Sequence, residues 1–296
     1  VTGYVEWVLG DLRSKSAMHV MTQSDPVSGA LFARNAYSVE FSERVAFFDT
    51  DTIDHGISGD RTEFLGRSGT LASPAAMRHA GLSGRVGGGL DPCAALQVQV
   101  SLADGQSKEV ILRLGAETST QAATQRVQRF RGSQAAATEL QKVREHWRNV
   151  LGVIRIQTPA PAVDVMVNGW LMYQVIACRF LGRSGYYQSG GAIGFRDQLQ
   201  DSMAMIHADP MMVRTHLLVC ASHQYAEGDV QHWWHPPMNR GVRTACSDDF
   251  LWLAAATSRY VEMTGDLSVL DQSVGYLEGR PLVAGEESYY DQPGIS

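Results

Sequence analysis

Residues 185–201 read GYYQSGGAIGFRDQLQD, and the fold reading of the whole chain turns on them. Two tyrosines and a glycine-rich turn run directly into a helix start that carries Arg196, Asp197, Gln200 and Asp201. Glycines let a backbone turn sharply and approach a ligand. On a helix Asp197 and Asp201 stand at i and i+4, as do Arg196 and Gln200, so each pair shares a face. Like charges at that spacing repel and call for a compensating partner. A polyol or sugar is one candidate for that partner, and a structural arginine is the other.

Outward from this stretch the chain divides by composition. With 296 residues there is room for about two domains. A 44% hydrophobic, 19% charged composition belongs to a globular protein. The net charge of −6, with no Lys/Arg cluster, leaves no electrostatic footprint for nucleic acid. No signal peptide is visible at Val1, and the apolar run 170–181 is too short and too interrupted, by Gln174 and Arg179, to cross a bilayer. Cys93, Cys178, Cys220 and Cys246 are far apart and form no CxxC, the pattern of reduced thiols in a cytosolic setting.

Residues 1–115 read as β structure. Leu96, Val98, Val100 and Leu102 alternate with polar residues, Asp104-Gly105 makes a turn, and Val110, Leu112 and Leu114 follow, so a hairpin is expected. Strands are also expected over 30–41 and 44–48, giving a β-sandwich. GRVGGG at 84–89 is not GxGxxG and does not lie between a strand and a helix, which excludes a dinucleotide site. Residues 116–158 read as a helical linker, with helices over 119–131 and 133–151. In the second of these, Leu140, Val143, Trp147 and Val150 recur at helical spacing. From 159 to 296 helices are expected over 163–181, 196–207, 209–225 and 247–264, joined by polar, aromatic-rich loops. That alternation fits an α/α toroid, of which only the first helices are present.

The second dense stretch is EGDVQHWWHPPMNRGVRTACSDD, residues 227–249. Indoles stack on the apolar faces of sugar rings, and neighbouring acids and arginines bond the hydroxyls. Trp233 and Trp234, with Asp229, His232, Arg243, Asp248 and Asp249, supply both kinds of group. The alternative is that the tryptophans fill a core and the aspartates cap a helix. His232 and His235 form HxxH, with His223 as a conceivable third ligand. A metalloprotease needs HExxH on a helix, and two tryptophans and two prolines preclude a helix here. Ser189 lies in QSGG rather than GxSxG, so no nucleophile elbow is expected. Glycosidic chemistry requires a carboxylic acid opposite an attacking group, but the sequence marks no such acid.

The runs NGWLMYQ (168–174), YYQSGGAIGFRDQLQD, EGDVQHWWHPP and GVRTACSDDFLWL, with YVEWVLG, GALFARN, GDRTEFLGR and GGGLDPCAALQ upstream, resemble the inverting phosphorylases of glycoside hydrolase family 94, formerly glycosyltransferase family 36. Within that family the chain is similar to the phosphorylase-like region of cyclic β-1,2-glucan synthases and to β-1,2-oligoglucan phosphorylases. The resemblance implies a β-sandwich, a helical linker and an (α/α)6 barrel. It implies cleavage of a β-glucoside by phosphate, giving α-glucose 1-phosphate with inversion. Phosphate is then the nucleophile and co-substrate, and no cofactor or metal is expected. Arg196 and Asp201 would bind hydroxyls of the sugar that is cleaved. Asp197, Gln188, Trp233, Trp234, Arg243 and Asp249 complete the expected sugar-binding set, with Asp197 alternatively orienting Arg243. Arg183 is the expected phosphate ligand.

The family's general acid is an aspartate in a DWND motif, and no DWND occurs in these 296 residues. The chain is therefore expected to be a fragment, truncated within the barrel and inactive alone. Its expected partners are a β-glucan or oligosaccharide, phosphate and the remainder of the same polypeptide, and a homodimer is compatible. A cytoplasmic location follows from the resemblance. The competing reading is a non-catalytic carbohydrate-binding or structural module.

Overall fold

The computed structural model describes residues 1–183 and 190–296. Gln188 and Ser189, and the tyrosine pair of the opening stretch, lie outside the described residues. The chain forms two compact units, Val1–Lys142 and Val143–Ser296.

In the first unit the elements run β1 (Thr2–Glu6), α1 (Arg13–Ser16), β2 (Val20–Ser24), β3 (Leu31–Asn35), β4 (Val45–Thr50), β5 (Gly56–Asp60), α2 (Arg61–Leu65), β6 (Pro92–Gln97), β7 (Leu112–Glu117) and α3 (Thr120–Arg129). α4 (Ser133–Leu151) spans the division between the units. The strands build an antiparallel sheet of order β1-β6-β5 and another of order β2-β3-β4-β7. Val20, Leu31, Ala33, Ala46 and Phe48 of the second sheet share one core with Ala94 and Leu96 of the first, so the two pack face to face. The outer face of the second sheet is covered in turn: Phe32, Val45 and Phe47 meet Ala123 and Val127 of α3. Phe64, Leu65 and Ala76 cover Ala95 on the first sheet. This double coverage explains why β4 (VAFFDT) is buried at every position and shows no alternation.

The expected hairpin over 96–114 does not form. β6 ends at Gln97 between β1 and β5, whereas β7 pairs with β4 in the other sheet. Alternation reports that one face of a strand is covered, not which strand lies beside it. The charge centre of this unit is Asp49, fully buried, which accepts from both Arg113 and Arg131.

In the second unit follow α5 (Pro161–Val165), α6 (Leu171–Gln174), β8 (Ile193–Gly194), α7 (Phe195–Met205), α8 (Pro210–Ala221), β9 (Gln231–His235), β10 (Arg240–Thr244), α9 (Asp249–Thr264), β11 (Leu277–Glu278), β12 (Ser288–Asp291) and β13 (Gly294–Ile295). The single helix expected over 163–181 is interrupted. Asn168 bonds both the N–H and the C=O of Ile156, at 2.7 and 2.9 Å, and Gly169 sits at φ +148°, open only to glycine. Wider π-type turns, 166–170 and 175–181, flank α6.

α7 shows the period that buries one face: Phe195, Gln198, Leu199, Ser202 and Met205 point inward, while Asp197 and Gln200 are exposed. Asp209 caps α8, its carboxylate accepting from the Met212 N–H at 2.9 Å, with Pro210 in the first turn as the sequence implies. α8 stops at Ala221, short of the expected Tyr225. α9 ends at Gly265 in the left-handed region. Phe195 and Leu199, Val213 and Leu217, Ala256 and Tyr260, and Trp234 from β9 meet in one core. No helix among the described residues is long and apolar enough to cross a membrane.

Two histidines lie in this core. His216 lies 3.5 Å through Nε2 from the Cys220 thiol, and burial pushes it down to about 4; burial also lowers His223. A histidine held neutral by the fold stabilises above its unfolded value, and that stability drains as pH falls. We expect the second unit to lose roughly 3 kcal/mol through His216 between pH 6.5 and 4. Urea unfolding across that range checks it, and H216L flattens the acid limb by about that amount.

Candidate functional site

The two dense stretches of sequence meet through a sheet of order β12-β10-β9-β8. Ile193 pairs with Trp234 and Gly194 with Trp233, so the residues that start α7 are held directly on the HWWH strand. Gln198 secures the junction by accepting from the Gly194 N–H at 2.6 Å. β10 then crosses β9 at Gly241. A Cβ there would lie 2.1 Å from the Trp233 carbonyl oxygen and 2.8 Å from the Trp234 Cα, so only glycine fits. The expected loop around the tryptophans is thus a strand.

A strand sends neighbouring side chains to opposite faces, and this separates the two tryptophans. Trp234 is 1% exposed and stacks on His223 with ring centroids 3.8 Å apart. It fills the core and has no face for a sugar. Trp233 is half-buried, with the His235 ring edge-on at 5.3 Å and Tyr290 at 5.9 Å. The stacking role expected of the pair is open to Trp233 alone.

Arg243 is likewise not available to a ligand. It is 1% exposed, its Nε and Nη2 bond the two oxygens of Asp229 at 2.6 and 2.5 Å, and Nη2 also reaches Glu227 at 3.1 Å. Its guanidinium lies 3.8 Å from the centroid of Tyr225 and donates to the Arg280 carbonyl at 2.8 Å. The planar fork and its paired carboxylates make this a buried clamp. Asp197 does not orient it.

Asp197 and Asp201 have a different partner, one the sequence reading passed over. Arg179, noted only as an interruption of an apolar run, bonds Asp201 through Nε and reaches Asp197 through Nη2 at 3.1 Å. The compensating group for the i,i+4 acid pair is therefore an arginine. Its signal in the sequence was a lone charge inside an otherwise apolar helix. Arg196 points along the other side of α7 to Asp248, at 2.7 Å, and passes Asp197 at 3.7 Å. Asp248 stands at the start of α9 without capping it. It accepts instead from the Cys246 thiol at 3.0 Å and from Arg196, bonds that hold its carboxyl down at about 2. Arg183 is half-buried at φ +46°.

Asp249 is fully buried and bonds His232 Nδ1 at 2.6 Å, with Thr244 Oγ1 at 3.5 Å from the same oxygen. The carboxylate bond holds His232 above the ordinary histidine value. The stability it contributes is therefore complete in acid and is lost as pH rises through the folded value. His223, His232 and His235, weighed above as a metal trio and not expected to form one, lie apart. His223 lies under Trp234, and His235 donates from Nε2 to the Gly190 carbonyl at 2.9 Å. Donor atoms of His232, Cys246 and Asp249 do lie within 4.8 Å of one another. Each is already hydrogen-bonded, two within the His232–Asp249 pair and Cys246 to Asp248. The groups that remain partly accessible are Arg196, Asp197, Asp201, Asp248 and His232, a mixture of donors and acceptors suited to a polyhydroxyl ligand; the Trp233 backbone pairs alongside at Gly194, its ring lying against His235 and Tyr290.

Residues 1–133 match the glycosyl hydrolase 94 supersandwich domain and residues 146–291 the catalytic domain of the glycosyl hydrolase 94 superfamily. The chain belongs to glycoside hydrolase family 94. Over its whole length it is 37% identical to a cyclic beta-(1,2)-glucan synthase, NdvB, of Rhizobium meliloti strain 1021. It is 25% identical to an N,N'-diacetylchitobiose phosphorylase of Vibrio furnissii over 94% of the chain. With a 3-O-beta-D-glucopyranosyl-beta-D-glucuronide phosphorylase of Paenibacillus borealis it shares 25% identity over 72% of the chain. It spans 10%, 38% and 27% of the lengths of those proteins, respectively.

The two tryptophans give a direct test of this division of labour. Trp234→Ala is expected to cost about 3–5 kcal/mol of unfolding free energy by opening a core cavity. Trp233→Ala should cost less than about 1.5 kcal/mol while weakening oligosaccharide binding. Urea titration and isothermal calorimetry with a gluco-oligosaccharide separate the two effects.

Proposed function

We propose that this chain provides the glucosyl-gripping part of an inverting β-glucoside phosphorylase site, with β-1,2-glucan as the sugar and inorganic phosphate as the nucleophile. The observation that carries this reading is the accessible cluster at the head of α7. Arg196, Asp197 and Asp201 share it with Asp248, which stands just ahead of α9, and the pairing of Gly194 brings the Trp233 backbone alongside. Fixed donors and acceptors of this kind hold ring hydroxyls, and each side chain is pre-oriented by a charged neighbour, which reduces the ordering cost on binding. The helices α7, α8 and α9 are read as the opening helices of an (α/α)6 barrel, and residues 116–158 as the linker preceding it. Arg183 and Gln188 are assigned to phosphate and sugar, respectively, on the family pattern alone.

In phosphorolysis one carboxylic acid protonates the leaving oxygen while phosphate attacks the opposite face of the sugar. In this reading no described carboxylate is that acid. Asp248 is held ionised by Cys246 and Arg196, and Asp249 is buried against His232. The acid is assigned to residues other than these 296. The relatives' names support the chemistry: one is a cyclic beta-(1,2)-glucan synthase, and two are phosphorylases, of N,N'-diacetylchitobiose and of 3-O-beta-D-glucopyranosyl-beta-D-glucuronide.

Incubation of the chain with β-1,2-glucan and phosphate is expected to release no glucose 1-phosphate. Calorimetry with a β-1,2-gluco-oligosaccharide should nevertheless show binding, weakened at least about tenfold in Arg196→Met, the loss of one charge-assisted bond. Release of glucose 1-phosphate, or binding indifferent to Arg196, would overturn the proposal.

A further inference from the structure

The His232–Asp249 pair is not used by the reading above, and its geometry is that of an oriented imidazole rather than a surface ion pair. Asp249 is fully buried at the start of α9, and its Oδ1 has no hydrogen-bond partner among the described residues. Its Oδ2 lies 2.6 Å from His232 Nδ1. A carboxylate only accepts, so in the neutral imidazole the proton resides on Nδ1 and the lone pair on Nε2. His232 is one-third exposed, and Nε2 has no hydrogen-bond partner among the described residues. The ring lies in the same charge cluster as Arg196 and Asp197 of α7 and as Asp248 and Cys246 ahead of α9.

Burying a carboxylate costs several kcal/mol unless it is paired, and here Oδ2 takes a short bond from His232 and a long one, 3.5 Å, from Thr244, while Oδ1 takes none among the described residues. Asp248, at the N-cap position of α9, makes no side-chain cap bond, its carboxylate turning to Arg196 and Cys246. What the buried acid visibly accomplishes is to fix one ring and one tautomer. Arg196 and Arg179 supply donors to the cluster, and the exposed carboxylates are engaged by them. Above the raised titration of His232 the ring is neutral, and Nε2 is then an acceptor with no such engagement among the described residues.

We infer that His232 is a sugar-binding residue whose Nε2 accepts a hydrogen bond from a hydroxyl of the glucosyl unit held by Arg196, and that Asp249 is its positioning residue. The inference rests on the sugar-binding reading of this site and adds to it a particular atom and tautomer.

The test uses the full chain labelled with ¹⁵N-histidine and ¹⁵N-arginine, the His232 and Arg196 signals being identified by their loss in H232Q and R196M. Long-range ¹H–¹⁵N spectra above the His232 titration are expected to show the Nδ1–H tautomer. A β-1,2-linked glucose disaccharide should then move the Nε2 resonance, and H232A should weaken its binding about tenfold. D249N keeps the shape of the side chain but offers a donor as well as an acceptor. It is expected to mix the tautomers and to weaken binding. An Nε2–H tautomer in wild type overturns the inference. So does a saturating disaccharide that shifts the Arg196 side-chain signal and leaves His232 Nε2 unmoved, a result that keeps the sugar reading intact. If neither signal moves, both readings fail. Should D249N not fold, the wild-type tautomer and the H232A affinity decide alone.

Discussion

Two residues of backbone pairing, Ile193 with Trp234 and Gly194 with Trp233, hold the second unit's site together. They fasten the first turn of α7 to the HWWH strand across about forty residues of sequence. Everything polar in the candidate site then follows from where α7 begins. Phe195 and Leu199 go into the core, so Arg196, Asp197 and Asp201 must face outward. Gly241 permits the pairing on the other side of β9, because no side chain could pass over the Trp233 carbonyl. The short strand β8 has little stability of its own; the fully buried Trp234 and the clamp of Arg243 on Asp229 and Glu227 hold β9 and β10 in place beneath it.

Charge in this unit is arranged in two layers. The deep layer, Arg243 with Asp229 and Asp249 with His232, joins elements, and Arg243 and Asp249 in it are buried. The shallow layer, Arg179 with Asp197 and Asp201, and Arg196 with Asp248, is partly exposed. Exposed pairs of this kind contribute little to stability. On the proposed reading they hold hydroxyl-binding groups in fixed orientations.

Family membership and local geometry answer different questions about this chain. The matches to glycoside hydrolase family 94 cover both units and establish the lineage. They do not say which of the residues in the two dense stretches touch a ligand. Burial decides that for several of them. Trp234, Arg243 and Asp249 looked equivalent to Trp233, Arg196 and Asp248 as polar or aromatic residues in the same short segments, yet the first three lie inside the protein.

Much was legible in the amino-acid sequence because it depends on local chemistry. The helix over 133–151, the Asp209-Pro210 start, the Gly265 stop and the outward face of α7 follow from propensity, capping and a 3.6-residue period. The β character of the first unit and the family resemblance were equally readable. The tertiary structure alone decided which strands pair, since the alternation over 96–114 is the same whether its partner is the next strand or a distant one. It alone showed that Asn168 and Gly169 break a helix whose pattern runs on unbroken, because the cause is a pair of bonds to Ile156. It also decided that Arg179 answers the acid pair of α7 and that Asp249 answers His232. Those pairings join residues 18 to 22 positions apart or 17 apart, and only folding sets such distances.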